Sequence, residues 1–370
     1  MDLIKLKNDL LFLRDYVLRR PNIINGFIET TDKEIDKNGD YRHEPDRFGM
    51  VQKEVLNPSG RYMEYRPKGE QQNVGSDKLH CVSESGCNSI ETIINFYLHL
   101  IDNGKATKEM IEIVGVFRAF GFIEGNKCLI STRYVASGSG TTRRGNSQSK
   151  VGQFIHKYGL VPKKMFPYIN NWNEYYRTGD TRINGNKLPS ELIKRGQQLL
   201  EYIEINYEWV SYRHMVETYK YAPLQTSGFA WTNYKNGIFY RTNRRKNHCF
   251  QVDGFENSCH EAFDSYQPFD KKLDKNYNFG NAMLYSIHLK RPVTPYNPEE
   301  IKKLKERGFE YMLLVKECGK YTPGVYQLLD ESIKKVEQAG AVDKWIKEQA
   351  KSGKLEGISS DNFKKLLNAI

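Results

Sequence analysis

The sequence has no long uninterrupted apolar run. Charged residues recur every few positions among Leu, Ile and Phe in the first 20 residues, whereas a signal peptide needs an unbroken apolar core. No later stretch approaches the run of about 20 apolar residues that a membrane-spanning helix requires. The sequence therefore predicts a folded protein with neither a secretion signal nor a membrane partner.

Cysteine is scarce, with six in 370 residues. In the absence of a secretion signal, thiols at this density are expected to be free rather than paired in a disulfide framework. A reducing compartment is the expected environment. Each cysteine is then either a small buried hydrophobe, which is the commoner case, or a reactive thiol.

Acidic residues are outnumbered, because 56 Lys and Arg against 45 Asp and Glu give a formal net charge of +11. Such an excess suits an anionic partner, either nucleic acid or a cell-wall polymer. The basic residues are scattered, with short clusters only at 143–144 and 244–246. A nucleic-acid surface would interleave aromatic and basic residues along one sheet face, and no such stripe is evident. Nucleic acid is therefore not favoured as a specific partner.

The pattern along the chain predicts three regions. Residues 1–65 form an N-terminal extension that could cover the site of the next region, beginning with a short amphipathic helix over 1–20 that Pro21 ends. Residues 66–295 form the main domain. Prolines near 291–298 mark a linker, and 299–370 are expected to be a small C-terminal α/β module of unknown role.

The main domain places helices before strands. Residues 78–101 carry apolar residues at helical spacing, a second helix near 149–159 can end at Gly159, and a third lies within 186–205. The later segments GIFYRT, HCFQVDGF and NAMLYSIHLK alternate apolar and polar residues in short runs, which is typical of strands. This order predicts an α+β fold.

Two cysteines fall on the first helix, and the periodicity separates them. Cys87 lies three residues before Ile90 and seven before Ile94, on the apolar stripe, so we expect it to be buried core. Cys81 lies at the helix start. The positive potential at a helix N-terminus, together with a neighbouring histidine, stabilises a thiolate, so Cys81 is the candidate nucleophile.

Around Cys81 the segment CVSESGCNSIE has a Ser four residues on and a Glu ten residues on. It resembles the active-site helix of papain-like cysteine peptidases. Further segments, GTTRRGNS, YGLVP and DSYQPF, follow in the order of that family and are most similar to variants encoded by bacteriophages and bacteria. The resemblance implies a papain-like fold, in which a helical subdomain and an antiparallel β-barrel-like subdomain flank an active-site cleft.

The resemblance also implies roles for individual residues. His248 would lie on a strand and Asp264 on the next, sixteen residues later, with a turn at 254–257 between them. Upstream of Cys81, Gln72 or its neighbour Gln71 would donate to the oxyanion, and Gln72 is preferred. Gly145 and Asn146 would bind the main chain of an extended substrate.

Three departures from the family pattern stand out. Val82 replaces the aromatic residue that commonly follows the nucleophile, the cysteine upstream of the nucleophile is absent, and Asp264 replaces the commoner Asn. None of these removes a reacting group. An aspartate would stabilise the imidazolium of His248 more strongly than an amide and would preserve the thiolate–imidazolium pair over a wide pH range.

A metal site is the alternative interpretation of the stretch around His248, because four residues there carry ligand atoms: His248, Cys249, Cys259 and His260. Neighbouring residues on a strand face opposite sides of a sheet, so His248 and Cys249 cannot easily reach one ion. We therefore expect no metal and no cofactor.

The resemblance predicts a cysteine endopeptidase that hydrolyses amide bonds through a thioester, acting on a polypeptide or the peptide part of peptidoglycan. Two alternatives stay open. One is a catalytically silent papain-fold structural or cargo protein of a phage virion, whose partners would be virion proteins. The other is a peptidoglycan-cleaving amidase or peptidase with the same triad. The expected location is the host cytoplasm or the virion.

Overall fold

A computed structural model describes residues 27–31, 34, 35, 37, 42, 43, 52, 54–73 and 77–290. The helix predicted over 1–20, the linker at 291–298 and the module predicted at 299–370 lie outside the described residues. Among those described, no helix combines the length and the apolar character needed to cross a bilayer.

The described residues divide into two compact units. The first unit contains the described residues up to 93, together with 130–197 and 205–286, and it holds every candidate site residue. The second contains 94–129, 198–204 and 287–290. Inside the second unit, Asn95 Oδ1 accepts a hydrogen bond from the Cys128 amide at 2.8 Å.

The described helices are α1 Cys81–Asp102, α2 Lys108–Ala119, α3 Thr132–Gly138, α4 Gln148–Tyr158, α5 Trp172–Arg177, α6 Ser190–Leu199 and α7 Met215–Thr218. Short 3₁₀ turns lie at Met63–Tyr65, Lys163–Met165 and Tyr212–His214.

The described strands are β1 Arg42–His43, β2 Ile123–Glu124, β3 Lys127–Cys128, β4 Thr181–Ile183, β5 Asn186–Leu188, β6 Ile203–Val210, β7 Leu224–Gly228, β8 Tyr234–Lys235, β9 Ile238–Phe239, β10 His248–Glu256, β11 Cys259–Phe263, β12 Asp270–Asp274 and β13 Ala282–Leu289. Nine of them form one mixed sheet in the order β1-β6-β13-β7-β10-β11-β12-β9-β8, and β2-β3 and β4-β5 are separate hairpins. The predicted α+β class is confirmed.

Helix α1 is the element that carries the candidate nucleophile. The predicted helical stretch ran from about residue 78 with Cys81 near its start, and the helix begins at Cys81 itself. Leu79 has φ +52°, in the left-handed region, so the chain cannot be α-helical there. Cys87 and Ile90 are fully buried as predicted, but so are Cys81 and the polar residues of the first turns, so α1 is buried on all sides up to residue 98 rather than along one stripe.

Two other helix predictions had different outcomes. The second helix ends as predicted, with Gly159 at φ +69° and its amide bonded to the Ile155 carbonyl at 2.9 Å. The third lies within the predicted range 186–205 but is confined to Ser190–Leu199, because Asn186–Leu188 is strand β5 and the chain enters β6 at Ile203. Asn184 and Gly185 both have positive φ, which makes RINGNK a two-residue hairpin.

The hairpin of β10 and β11 positions the second half of the candidate site. His248 is the first residue of β10, and Asp264 directly follows β11. The predicted turn at 254–257 is displaced, because Asn257 and Ser258 have φ +52° and +60° and form the two-residue turn themselves. Gly254 lies instead beside an irregularity in the β10–β11 register.

Candidate active site

Cys81 is the first residue of α1 and is fully buried. The amides of the first helical turn have no partner within the helix, and the helix dipole adds positive potential there. The chain before Cys81 is fixed, because Asp77 Oδ1 accepts the Leu79 amide at 2.7 Å and holds Leu79 in its left-handed conformation. The thiol therefore has a defined position at a helix N-terminus.

His248 and Asp264 form a buried pair. His248 Nε2 lies 2.5 Å from Asp264 Oδ1, and both side chains are fully inaccessible to solvent. The other ring nitrogen, Nδ1, is buried and has no hydrogen bond of standard geometry within the described residues. The imidazole interacts with the Cys81 thiol. The structure thus brings together the three residues that the sequence analysis named as a triad.

The carboxylate of Asp264 has three further donors. Its Oδ2 accepts Trp231 Nε1 at 2.6 Å and pairs with Lys271 Nζ at 2.8 Å, while Oδ1 also accepts the Ser265 amide at 2.7 Å. The Lys271 side chain is only 1% exposed and lies 4.8 Å from the centre of a Trp231 ring. Sequence reasoning missed both Trp231 and Lys271.

The protonation of the cluster follows from burial and charge. Burial would lower the pKa of His248, but the Asp264 carboxylate and Cys81 outweigh it and raise that pKa to about 10. Burial alone would raise the pKa of Asp264, but the positive charges of His248 and Lys271 outweigh it and lower that pKa. Burial lowers the pKa of Lys271, and the attraction of Asp264 opposes this effect without cancelling it. Burial also raises the pKa of the Cys81 thiol, and His248 opposes that rise.

Cys87, the other thiol on α1, has different surroundings. Its pKa is raised well above the ordinary value by burial and then by the neighbouring Glu91 and Glu84, so its thiolate is disfavoured. Cys81 instead has the imidazole of His248 beside it. The two thiols of α1 therefore differ in their charged neighbours, although both are fully buried.

Gln72 is buried next to the candidate triad. Its Oε1 accepts Ser265 Oγ at 2.9 Å, and its Nε2 donates to Asp77 Oδ1 at 3.0 Å and to the Tyr266 hydroxyl. The Tyr266 ring lies 5.0 Å from that of His248. Both amide hydrogens of Gln72 therefore have acceptors already, and one of them must change partner before Gln72 can donate to an oxyanion.

Gly145 and Asn146 lie in a tight loop between α3 and α4. Gly145 has φ +87° and exchanges main-chain hydrogen bonds with Thr142. The Asn146 side chain points into the protein, donating to Ser139 Oγ at 2.7 Å and Thr141 Oγ1 at 3.1 Å. Asn146 consequently presents its main chain rather than its amide.

This loop is linked to the nucleophile through Tyr176. The Tyr176 hydroxyl donates to the Lys78 carbonyl at 2.5 Å, and the side chain interacts with both Thr141 and Cys81. Tyr176 thus connects the loop of Asn146 to the stretch of chain that leads into Cys81.

Part of the N-terminal extension contacts the loop of Asn146. We call residues 27–31 the bridging segment. Phe27 pairs with Asn146 in a parallel β-bridge, and the Ile28 amide donates to the Asn146 carbonyl at 2.7 Å. One residue further on, Glu29 Oε1 lies 3.2 Å from Nζ of Lys246. The bridging segment therefore contacts the loop of Asn146 and also the stretch that leads into His248.

Comparisons with known proteins gave structural matches only. No family model and no curated protein matches the sequence. Among solved structures, xylellain, a cysteine protease from Xylella fastidiosa, is 13% identical over 74% of this chain and 98% of its own, with a TM-score of 0.43.

Two zymogen structures are similar as well. Digestive procathepsin L2 of Tenebrio molitor is 13% identical over 76% of this chain and 90% of its own, with a TM-score of 0.45. Procathepsin B of Trypanosoma congolense is 11% identical over 69% and 85%, with a TM-score of 0.39. These identities and TM-scores are too low to assign a function, which has to be argued from the residues of the site.

Proposed function

We propose that this chain is a papain-like thiol peptidase whose catalytic residues are Cys81, His248 and Asp264. One observation carries the proposal: the imidazole of His248 is fixed by Asp264 at 2.5 Å through Nε2, while its buried second nitrogen is left for a thiol at a helix N-terminus. A nucleophile, a base and a group that orients the base are the elements that covalent acyl transfer requires.

The reaction follows from these positions. His248 takes the proton of the Cys81 thiol, and the thiolate attacks the carbonyl carbon of the substrate amide. The C–N bond breaks as the imidazolium protonates the leaving amine, which leaves a thioester on Cys81. Water then attacks the thioester with His248 as the base, releasing a carboxylic acid and regenerating the thiol.

The oxyanion of the tetrahedral intermediate needs donors. The Cys81 amide is one, because it lies at a helix N-terminus where amides lack helical acceptors. We assign Gln72 as the second. Its side-chain amide would leave either Asp77 or Tyr266, which remain bonded to each other through a 2.5 Å hydrogen bond from the tyrosine hydroxyl. That remaining bond limits the penalty of freeing one Gln72 hydrogen.

We further propose that the main chain of Gly145 and Asn146 binds an extended substrate, and that the bridging segment covers this site in the form described. The support is the hydrogen bond of Ile28 to the Asn146 carbonyl, which uses the acceptor that an extended substrate would use. The full burial of Cys81 is consistent with a covered site. The N-terminal extension would then have to move before a substrate enters.

A peptide mixture from denatured proteins tests the proposal. The full-length chain should cleave the mixture, Cys81→Ala should abolish cleavage, and Cys87→Ala should leave it intact. These two variants are matched, since both remove a fully buried thiol from α1. His248→Ala should reduce cleavage by several orders of magnitude.

Two outcomes would contradict the proposal. Loss of cleavage in Cys87→Ala with retention in Cys81→Ala would show that Cys81 is not the nucleophile. No cleavage of any peptide or peptidoglycan fragment by the folded chain, together with equal and slow alkylation of all the thiols, would favour a catalytically silent papain-fold protein instead. Peptidoglycan fragments as the only substrates would favour the amidase alternative.

A further inference from the structure

Lys246 differs from its basic neighbours in its surroundings. Arg244 and Arg245 are exposed, whereas the Lys246 side chain is only 19% exposed and lies two residues before His248. Its aliphatic part packs over Gly280, where an added Cβ would come within 3.1 Å of the lysine Cδ. The Lys246 side chain is therefore held in place on the stretch that leads into His248.

The partner of this ammonium group belongs to the bridging segment. Glu29 Oε1 lies 3.2 Å from Lys246 Nζ, and the residue before Glu29 donates its amide to the Asn146 carbonyl. A main-chain contact and a side-chain contact are thus made by adjacent residues of one extended segment. This is how an extended peptide is recognised, with the main chain supplying affinity and one side chain supplying selectivity.

We infer that Lys246 selects an acidic side chain on the substrate, and that Glu29 occupies the position of that side chain in the form described. The inference rests on the proposed peptidase function and on Asn146 as the site of substrate main-chain binding. A carboxylate satisfies the ammonium group with a charge-assisted hydrogen bond. An apolar substrate side chain would leave the ammonium group of this largely buried lysine side chain without a counter-charge, and a basic one would be repelled by it.

The sequences at cleaved bonds test the inference. In a peptide mixture treated with the full-length chain, Glu and Asp should be enriched about tenfold over Lys and Arg at one position near the cleaved bond. Lys246→Glu should reverse this preference. Arg245→Glu is the matched control, because it makes the same charge change one residue away on an exposed side chain.

The outcomes separate the inference from the proposed function. Cleavage that depends on Cys81 but shows no acidic enrichment overturns the inference and leaves the peptidase intact. The same holds if Lys246→Glu keeps the acidic preference, or if Arg245→Glu loses it equally, since the selectivity would then reflect overall charge. No cleavage at all refutes the proposed function itself.

A second measurement tests the ion pair of Glu29 and Lys246 and does not depend on peptidase activity. Hydrogen exchange at the Ile28 amide should be about three- to tenfold faster in Glu29→Lys and in Lys246→Glu, because the bridging segment loses its charged contact. The double variant, which restores the pair with reversed charges, should return exchange toward the wild-type rate. Unchanged exchange in both single variants would overturn the pairing on which the inference depends.

Discussion

Replacing Lys271 with Met should unbalance the charges around Asp264. In the folded chain Asp264 lies between two cations, His248 and Lys271, and a Cys81 thiolate would bring the net charge of the four groups to zero. Met keeps most of the length of the lysine side chain and removes only the charge and its donors. The change therefore leaves a buried carboxylate with one cation where it had two.

The expected loss of stability follows from the distance. At 2.8 Å, the attraction between Lys271 Nζ and Asp264 Oδ2 is about 6 kcal/mol if the effective dielectric constant is about 20. Desolvation of both ions offsets part of this, and removal of one partner of a buried pair typically costs about 3–5 kcal/mol. Lys271 also donates to the carbonyls of Tyr266 at 2.7 Å and Pro268 at 2.5 Å, so Lys271→Met should fall in the upper half of that range.

The control is the double variant Asp264→Asn/Lys271→Met. It removes both charges together, so no buried ion is left unpaired, and it should be more stable than either single variant. Urea unfolding of the four proteins gives a double-mutant cycle. Because the double variant should lose less stability than either single variant, the coupling energy should exceed the larger single loss, about 4 kcal/mol. Single losses that simply add up to the loss in the double variant would refute the charge-balance argument.

The reactivity of the Cys81 thiol provides a second readout. Without the positive charge of Lys271, a thiolate at Cys81 would leave the cluster with a net negative charge, so the thiol pKa should rise. Alkylation of Cys81 near pH 7 should then slow in Lys271→Met and recover in the double variant, where imidazolium and thiolate again balance. Equal alkylation rates in the wild type and Lys271→Met would contradict this reasoning.

His248 and Asp264 also determine how the stability of the folded chain changes with pH. The pKa of His248 is raised to about 10, so its contribution is complete below its unfolded value of about 6.5 and is lost as the pH rises toward 10. The pKa of Asp264 is lowered, so its contribution is present above about 4 and is lost as the pH falls through the folded value. Unfolding at several pH values should show both declines.

Two further predictions concern the start of α1. Burial raises the pKa of Glu84 to about 7, so ionisation of Glu84 destabilises the folded state as the pH rises. Glu84→Gln should therefore stabilise the chain by roughly 3 kcal/mol at pH 8 and by much less at pH 5. A stabilisation that does not change with pH would count against this. Leu79→Gly, at φ +52°, should change the free energy of unfolding by less than about 1 kcal/mol, whereas the β-branched Leu79→Val should lose about 1–2 kcal/mol. Thermal unfolding of both variants measures the difference.

The sequence predicted much of the candidate site because two of its features are local. The sequence placed Cys81 at a helix start and Cys87 in the buried core, and the structure has both there, although Cys81 is as fully buried as Cys87. The strand order of one hairpin placed His248 and Asp264 together, although its turn lies at 257–258 rather than 254–257. Neither feature depends on contacts between distant segments.

Lys271 was missed because its role depends on strand pairing. The pairs Phe263–Asp270 and Ala262–Lys271 between β11 and β12 bring the lysine beside Asp264, and register cannot be read from either strand alone. A signal was nevertheless present. In DKKLD, Lys271 lies two residues before the buried Leu273 and therefore on the same face, and such a lysine needs a buried counter-charge.

The hairpin of β4 and β5 was not predicted for a different reason. Asn184 and Gly185 are a strong signal for a two-residue turn, yet this signal was not used and the predicted helical range began at 186, inside strand β5. Pro189 precedes the first residue of α6 and separates the two elements. The error therefore lay in the helix boundary, while the existence of the helix was correct.

In the proposed mechanism, the Lys271 contact changes what Asp264 can do for His248. From the sequence, an aspartate in place of the commoner amide predicted a stronger hold on the His248 proton over a wide pH range. With Lys271 at 2.8 Å, the carboxylate and the ammonium group together carry no net charge, as an amide does. The pair would therefore orient the imidazole through a short charged hydrogen bond, while the remaining positive charge of His248 favours a thiolate at Cys81. On this argument Asp264→Asn alone should not mimic the amide of the family, since it leaves Lys271 buried and unpaired, and only the double variant should.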